Sequence, residues 1–288
     1  MKPLVSICCI TYNHEKFIRD CIEGFLMQET NFAVEILIFD DASTDNTQEI
    51  IMEYAASNAN IITFLQTENQ WQYKKYGLID WLFPSAKGKY IALCEGDDYW
   101  TDPYKLQKQV DFLEINPDFA FSMGIVNTLI EKNGKIIRSK EHVNPSKSEV
   151  YLLKDYIKAP FSQTSSFMFR NNGVNFPKWT NKIHAGDQLL VILNTGVSGK
   201  IKYHNEVFSV YRLNEKSITY NSNLKDLKAK GDFFLQKIDE LTDYSFKKLI
   251  FMRKILHRIY FLTFSKSYFV KYTSKLVFYV FTKLSYRI

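Results

Sequence analysis

Short apolar runs alternate with amphipathic segments over the first part of the chain. The runs are PLVSICCI, VEILIF, IITFL and YIALC, and none shows the alternation of a strand with one exposed face. Continuous apolar runs are typical of strands that are buried on both faces of a parallel sheet. Between the first two runs, Phe17, Cys21 and Phe25 recur at helical spacing. The pattern therefore predicts an α/β fold with a mostly parallel sheet, right-handed crossovers and flanking helices.

The pattern changes in the second half of the chain. IEKNGKII predicts a hairpin with Asn133-Gly134 in a type I′ turn, and SSFMFRNNG predicts a strand ended by a turn. A short helix is expected over 183–193, followed by the strand-like segments KIKYH and VFSVYRL and then by further helices. We therefore expect one domain over residues 1–215 and a basic, aromatic-rich helical C-terminal extension over 216–288.

Positive charge is concentrated at the C-terminal end. The formal net charge is +6, yet residues 245–288 contain Lys and Arg but no Asp or Glu, so the remainder is slightly acidic. Helices with cationic faces and aromatic, apolar faces suit the headgroup layer of an anionic membrane. A helical hairpin packed on the core, with solvated charges, is the alternative. Nucleic acid is not an expected partner because the segment matches no nucleic-acid-binding module.

The cysteines and the N-terminal residues bear on the cellular compartment. Cys8, Cys9, Cys21 and Cys94 form no CxxC pair and lie in apolar segments, which predicts buried thiols in a reducing compartment. The N-terminal segment lacks the cleavage site of a signal peptide, and no apolar segment reaches about 18 residues. We expect a cytoplasmic protein that attaches peripherally to the inner face of the cell membrane through its basic segment.

Acidic side chains follow the apolar runs where the predicted strands end. Asp40 and Asp41 follow VEILIF, whereas Glu95, Asp97 and Asp98 follow YIALC. Ligands of an open parallel sheet bind outside the carboxyl ends of its strands, so these acids are expected at one rim, together with the segment TYNHE after the first run. Any one acidic pair could equally be a helix cap or a solvated loop charge. Their common position at one rim favours a binding site.

The acidic rim predicts a bound cation. Clustered carboxylates raise each other's pKa unless a hard cation lies among them. Oxygen ligands favour Mg²⁺ or Mn²⁺ over zinc, and the sequence has neither a GxxxxGK[ST] nor a GxGxxG phosphate loop. An ion held by one or two carboxylates usually completes its coordination with phosphate oxygens, which predicts a nucleotide diphosphate ligand.

Three segments resemble the family 2 glycosyltransferases of the GT-A fold: VSICCITYNHEKFIRDCIEGFLMQ, EILIFDDASTDNT and YIALCEGDDYWTDPYKLQKQVDFLE. They occur in the order found in that family, and the resemblance covers roughly residues 3–215. It implies an inverting, metal-dependent transfer of a hexosyl or N-acetylhexosaminyl group from a nucleotide-diphosphate donor, expected to be UDP-linked. The implied acceptor is a hydroxyl of a glycan or a lipid-linked acceptor in surface polysaccharide synthesis.

The resemblance also implies roles for individual residues. The residues that line the nucleoside pocket are Thr11, Tyr12, Asn13 and Glu15. Asp41 contacts the base, and Asp40 supports that loop. Asp97 matches the acid of the DxD element that coordinates Mg²⁺ or Mn²⁺, and Asp98 assists with the metal or the ribose. Asp187, in HAGDQLL, matches the catalytic base.

Several positions depart from the family pattern or have more than one interpretation. Glu95 stands where the first acid of the motif is commonly Asp, and its longer side chain favours an indirect role. Asn214 stands where relatives often carry a His near the diphosphate or metal. Arg212 could pair with the diphosphate or form a structural ion pair. The remaining candidates, for the acceptor site, are Ser165, Ser166 and His184.

The chemistry of the residues is consistent with these roles and leaves alternatives open. The attacking hydroxyl must lose its proton to a positioned base, and a single displacement needs no protein nucleophile. From the residues alone, Asp187 could instead be an N-terminal helix charge stabilised by the dipole. A GT-A-like nucleotidyltransferase and a catalytically inactive sugar-nucleotide-binding or membrane-scaffolding protein are the alternative functions. The nucleotidyltransferase's usual glycine-rich, basic loop is absent after the first strand.

Overall fold

The structure is a computed structural model that describes residues 2–132, 135–141, 148–158, 160–161, 163–213 and 224–262. Its strands are β1 (Val5–Thr11), β2 (Val34–Asp40), β3 (Ile61–Leu65), β4 (Tyr90–Leu93), β5 (Tyr99–Trp100), β6 (Phe119–Lys132), β7 (Lys135–Glu141), β8 (Val150–Leu152), β9 (Met168–Arg170) and β10 (Lys200–Leu213). Its α-helices are α1 (Ile18–Leu26), α2 (Thr47–Ser57), α3 (Phe83–Ser85), α4 (Lys105–Ile115), α5 (Leu153–Lys158), α6 (Gly186–Thr195), α7 (Leu224–Leu241) and α8 (Lys247–Leu262).

The described strands form one ten-stranded sheet in the order β3-β2-β1-β4-β9-β6-β10-β5, with β7 beside β6 and β8 beside β10. β1 pairs in parallel with β2 and β4, and β2 pairs in parallel with β3. Parallel neighbours require crossover connections, which α1 and α2 provide here. β9 pairs antiparallel with β4 and β6, whereas β6 and β10 are parallel. The four predicted strands and the mostly parallel α/β sheet with flanking helices are confirmed.

Burial on both faces explains the unbroken apolar run of β1. Val5, Ile7 and Cys9 belong to the core cluster that also contains side chains of α1, α2 and α4, whereas Cys8 belongs to the cluster on the opposite face. A strand with two buried faces has no position at which a polar side chain would reach water. All four cysteines are free and buried, as the sequence predicts.

The second half of the chain departs from the predicted elements in two places. KIKYH and VFSVYRL form the single strand β10, whose register against β6 shifts between His204 and Val207. A bulge of this kind absorbs intervening residues without ending the strand. Helix α6 begins at Gly186, later than predicted. The antiparallel pairing of β6 with β7 confirms the hairpin, while the turn residues 133–134 lie outside the described residues.

The described helices of the C-terminal extension pack on α5 and α6. One buried cluster contains Leu153, Ile157, Leu189 and Ile192 together with Phe234, Leu235, Ile238 and Ile250. Residues 224–262 therefore share a hydrophobic core with the preceding chain, as in a packed hairpin. The predicted boundary at 215/216 and the segment 263–288 lie outside the described residues. Among the helices that are described, none is both long and apolar enough to cross a membrane.

The buried His204 of β10 makes stability sensitive to acid. Its Nε2 atom lies 3.1 Å from Ser122 Oγ, and burial, assisted by repulsion from Lys202, lowers its pKa from 6.5 to about 4. Between these two values the unfolded chain binds more protons than the folded protein, so the free energy of unfolding falls as the pH drops through that window. A shift of this size corresponds to about 3 kcal/mol.

Replacing this histidine should weaken the acid dependence of stability. In denaturant titrations, His204→Gln should lose less unfolding free energy than the wild type between neutral pH and pH 4, by up to about 3 kcal/mol. The difference between the two proteins at neutral pH measures the packing cost of the substitution. Parallel stability curves over this pH range would contradict the prediction.

Candidate functional site

The loop after β2 is held by the buried carboxylate of Asp40. Asp40 Oδ1 accepts hydrogen bonds from the backbone N–H of Ser43 at 2.9 Å and from Gln48 Nε2 at 2.6 Å. Gln48 also donates to the carbonyl of Gln66 at 2.9 Å, which connects the loop to the end of β3. Because buried polar groups are costly unless they are paired, this network fixes the loop that carries Asp41.

The loop after β1 is interlocked with the loop after β2. Asn13 has a left-handed backbone with φ 56°, its N–H donates to Ser43 Oγ at 2.8 Å, and its Oδ1 accepts from the N–H of Thr44 at 2.7 Å. The Glu15 carboxylate accepts from the N–H of Asn46 at 3.2 Å. Asn13 and Glu15 therefore shape the rim, while the neighbouring Tyr12 is 44% exposed there.

Asp41, directly after β2, is hydrogen-bonded both to the end of β1 and to the loop after β3. Its N–H donates to the carbonyl of Thr11 at 3.0 Å, and its carboxylate accepts from the N–H groups of Gln70 at 2.5 Å and Trp71 at 3.3 Å. The carboxylate predicted to contact the base thus also organises the loop after β3. Thr11, Asp40 and Asp41 lie at one rim because β1 and β2 are adjacent parallel strands.

The acidic turn after β4 packs directly against the end of β1. The N–H of Asp98 donates to the carbonyl of Glu95 at 3.0 Å, and the N–H of Gly96 donates to the carbonyl of Ile10 at 2.9 Å. A Cβ atom at Gly96 would lie 2.5 Å from Thr11 Oγ1, so only glycine allows this approach. The turn places Asp97 Oδ2 3.9 Å from His14 Nε2.

Arg212, near the end of β10, holds the acidic turn through hydrogen bonds. Its N–H donates to the buried Asp98 Oδ1 at 2.9 Å, and its Nη1 donates to the carbonyl of Asp97 at 3.2 Å. Its Nη2 pairs with Asp20 of α1, and the guanidinium lies over the ring of Tyr99 at 4.3 Å. From the sequence, Arg212 could either contact the diphosphate or form a structural ion pair. In the structure it forms an ion pair with Asp20.

Two acids of the turn, Glu95 and Asp98, have raised pKa values. Burial raises the pKa of Glu95 to about 8, and the charges of Asp97 and Asp187 add to the effect. Burial, with Asp97 and Glu95 nearby, also raises the pKa of Asp98 well above its ordinary value. A divalent cation would relieve this repulsion, and the oxygen-only donor set fits Mg²⁺ or Mn²⁺.

Within the ranges that the structure describes, no three His, Cys, Asp and Glu side chains are arranged to hold a metal ion by themselves. The turn instead offers Asp97, whose side chain is 17% exposed, and the partly exposed Glu95. One or two carboxylates are what Mg²⁺ usually takes from a protein when substrate phosphates supply further ligands.

Asp187 lies in the first turn of α6, close enough for its charge to raise the pKa of Glu95. Burial raises the pKa of Asp187 itself, while backbone hydrogen bonds and the charge of Arg253 act in the opposite direction. A cleft of about 220 Å³ opens beside it between α6 and α7. His184 lines this cleft and pairs with Asp226 Oδ2 at 3.0 Å.

The two serines predicted to contact the acceptor are fully buried. Ser165 Oγ lies 2.9 Å from Ser209 Oγ and also bonds the carboxylate of Asp98. Ser166 Oγ donates to the carbonyl of Gln163 at 3.0 Å. In this structure Ser165 therefore stabilises the acidic turn through its hydrogen bond to Asp98. Asn214 lies outside the described residues.

Sequence reasoning overlooked three residues of the site. His14 lies in the quoted segment TYNHE, but its approach to Asp97 depends on the pairing of β1 with β4. Gln48 lies near the start of α2, and no local pattern indicates that its side chain holds Asp40. Arg253 was counted only among the basic residues of the extension, and no local pattern connects it with Asp187.

Comparison with known proteins identifies the family. The model of glycosyl transferase family 2 matches residues 6–175, which include the whole rim from Thr11 to Asp98. The Escherichia coli protein WfaP, a UDP-Glc:alpha-D-GlcNAc-diphosphoundecaprenol beta-1,3-glucosyltransferase, is 36% identical over 130 residues, which cover 45% of this chain and 48% of WfaP.

Solved structures share the fold at low sequence identity. Residues 1-349 of S. aureus TarS, in complex with UDP-GlcNAc, match with a TM-score of 0.67 and 16% identity over 92% of this chain and 76% of that one. The mannosyltransferase PcManGT from Pyrobaculum calidifontis, in complex with GDP-Man and Mn²⁺, matches with a TM-score of 0.61 and 14% identity over 88% of this chain and 70% of that one. The sheet and its flanking helices thus form a GT-A fold, and the chain belongs to glycosyl transferase family 2.

Proposed function

We propose that this protein is an inverting, metal-dependent glycosyltransferase that moves a sugar from a UDP-linked donor to a hydroxyl of a glycan or lipid-linked acceptor. The observation that carries the proposal is the approach of two acidic elements. The turn 95–98 follows β4, and Asp187 lies in the first turn of α6, yet Asp187 is close enough for its charge to raise the pKa of Glu95. One acidic element is available to a metal–diphosphate group and the other to the acceptor hydroxyl.

Asp187 is proposed as the base of a single displacement. The acceptor oxygen forms a bond to the anomeric carbon while the bond from that carbon to the diphosphate oxygen breaks, and Asp187 takes the hydroxyl proton. Attack on the side opposite the leaving group inverts the anomeric configuration. The raised pKa of Asp187 favours this role because a base is most effective when its pKa approaches the working pH.

Asp97 is proposed to hold Mg²⁺ or Mn²⁺, while Glu95 acts on the ion indirectly, through hydrogen bonds or through its negative charge. When bound, such an ion stabilises the negative charge that develops on the departing diphosphate. The crowding of Glu95, Asp97 and Asp98 supports a cation here, as does the Mn²⁺ in the PcManGT complex. Arg212 and Ser165 hold the turn in place through Asp98.

The nucleoside is proposed to lie over the interlocked loops that follow β1 and β2. Tyr12 offers an exposed ring, and Asp41 offers a carboxylate at the same rim. A UDP-linked hexose or N-acetylhexosamine is the proposed donor, since the TarS complex contains UDP-GlcNAc and the name of WfaP specifies UDP-Glc. The name of WfaP also includes a diphosphoundecaprenol-linked acceptor, which supports a role in surface polysaccharide synthesis.

A donor screen tests the proposed function. The protein is incubated with Mn²⁺ or Mg²⁺ and a panel of UDP- and GDP-sugars, and the released nucleoside diphosphate is measured with and without EDTA. Metal-dependent release from a UDP-sugar is expected. Donor binding without release would favour the inactive binding protein, whereas formation of pyrophosphate from a nucleoside triphosphate and a sugar phosphate would favour the nucleotidyltransferase.

The basic segment 245–288 is proposed to bring the enzyme to an anionic membrane surface that carries the lipid-linked acceptor. Deleting everything after Asp243 would be a poor test, because it would remove the buried Ile250 and the packed helix α8. Substitutions beyond α8 change no residue that the structure describes. The residues to change together are Lys266, Lys271, Lys275 and Lys283.

Replacing these four lysines by Gln should strongly reduce co-flotation of the full chain with vesicles that contain phosphatidylglycerol. Each basic residue near an anionic surface contributes about 1 kcal/mol, so a loss of at least tenfold is expected. The matched control replaces four exposed lysines of the described chain by Gln, namely Lys74, Lys87, Lys178 and Lys182. Equal flotation of the two variants would remove the membrane proposal.

A further inference from the structure

We propose that Arg253, supplied by α8 of the C-terminal extension, is a positioning residue for Asp187, so that the extension completes the catalytic site. The inference rests on the proposed function of Asp187 as the base. Arg253 is separated from it by more than sixty positions along the chain. The relation between the two residues exists only in the folded protein.

The guanidinium of Arg253 joins the ends of two helices. Its Nη1 donates to the carbonyl of Ile157 at 3.1 Å, in the last turn of α5. Its Nη2 donates to Gln188 Oε1 at 2.7 Å, and Gln188 directly follows Asp187 in the first turn of α6. The last carbonyls of a helix lack partners within the helix, so a donor that binds one of them fixes that end. Arg253 thereby connects α5 to the turn that carries Asp187.

Arg253 also places a positive charge near Asp187. Burial lowers the pKa of Arg253 to about 10, and the charges of Tyr156 and Asp187 oppose that shift, so the guanidinium stays protonated at neutral pH. The charge of Arg253 in turn opposes the burial that raises the pKa of Asp187. A carboxylate that must accept a proton from the acceptor has to be ionised before the reaction, and a nearby cation favours that state.

Helix α8 is fixed firmly enough to position a neighbouring side chain. Ile250, one turn before Arg253, is completely buried in the cluster formed with α5, α6 and α7. His257 Nδ1 lies 3.1 Å from Asp232 Oδ1 of α7, and a Cβ atom at Gly231 would lie 2.3 Å from His257 Nε2. The two helices are therefore in close contact just beyond Arg253.

The planar fork of arginine suits this position better than lysine does. Two nitrogens of one rigid group reach two acceptors on different helices, whereas an ammonium group on a flexible stem offers a single point of contact. Arg253→Lys should therefore retain the charge but loosen the connection. Arg253→Met should remove both, and Gln188→Ala should remove one acceptor while leaving the charge in place.

The test uses the full chain, a UDP-sugar that the wild type turns over, and Mn²⁺. Arg253→Met should lower kcat by about 10- to 100-fold, the range found when a residue that orients a metal ligand through a hydrogen bond is removed, with the KM for the donor within about twofold. Arg253→Lys and Gln188→Ala should fall between this variant and the wild type. Arg19→Met, the same change at an exposed position of α1 whose ion pair with Glu53 lies on the surface, should match the wild type.

Hydrogen exchange provides a readout that does not depend on turnover. Amide exchange over residues 186–190 should be faster in Arg253→Met and Gln188→Ala than in Arg19→Met. Unchanged kcat and unchanged exchange in the first two variants would overturn the role of Arg253 and leave the proposed function intact. If the wild type releases no nucleoside diphosphate from any donor, the proposed function fails, and the exchange data alone decide whether Arg253 holds the first turn of α6.

Discussion

Asp187→Asn should lower donor turnover by about 10²- to 10⁴-fold while changing donor affinity less than about twofold. The amide has nearly the shape of the carboxylate but cannot accept the proton of the acceptor hydroxyl. Asp187 lies at the start of α6 and not in the turn that follows β4, so the proposed metal and diphosphate contacts stay in place. Single-turnover release of UDP and calorimetric binding of UDP in the presence of Mn²⁺ measure the two effects separately.

An exposed acid in the first turn of another helix is the matched control for Asp187. Glu49 occupies that position in α2. Glu49→Gln should cost only the dipole interaction, about 0.3 to 1 kcal/mol of stability, with no effect on turnover. If Asp187→Asn has the same small effect on stability and none on turnover, Asp187 is a helix charge and not the base.

Asp97→Asn should abolish the gain in donor affinity that Mn²⁺ provides. The proposed site has few protein carboxylates, so the loss of Asp97 leaves the ion held mainly by phosphate. In the wild type, UDP and Mn²⁺ together should raise the melting temperature more than UDP alone, because a tighter ligand stabilises the folded state more. In the variant the two shifts should be equal.

A surface acid tests whether this effect is specific to the rim. Asp118, which is exposed and pairs with Lys200, can be changed to Asn without touching the acidic turn. Asp118→Asn should retain the full gain from Mn²⁺. An Asp97→Asn variant that also retained it would show that the metal is held elsewhere, and EDTA sensitivity of the wild type would confirm that a metal is needed at all.

The fold was predicted most accurately where the local sequence pattern matches the environment of the residues in the folded protein. The runs that form β1 to β4 are apolar at successive positions because both faces of these strands are buried. The sequence pattern therefore reports the burial of each residue directly. β10 was predicted as two pieces because Asn205 and Glu206 interrupt the apolar pattern. Pairing with β6 continues past them through a register shift, which is a property of the neighbouring strand.

The candidate site was predicted less completely than the fold. The acids at the ends of β2 and β4 could be located because parallel pairing brings the carboxyl ends of these strands to one rim. Their individual contacts could not. Asp41 also holds the loop after β3, and Arg212 of β10 pairs with Asp20 of α1. Each of these contacts joins residues that are distant in sequence, and side-chain identity alone does not specify such a partner.

Local patterns along the chain were sufficient to predict the strand–helix alternation, the buried thiols and the position of the acidic turn after β4, because periodicity and burial act within a few residues. The approach of Asp187 to Glu95, of His14 to Asp97 and of Arg253 to Gln188 is visible only in the folded protein. Electrostatic and hydrogen-bond contacts depend on distances of a few ångströms. Such distances between remote segments are set by the packing of whole helices and strands.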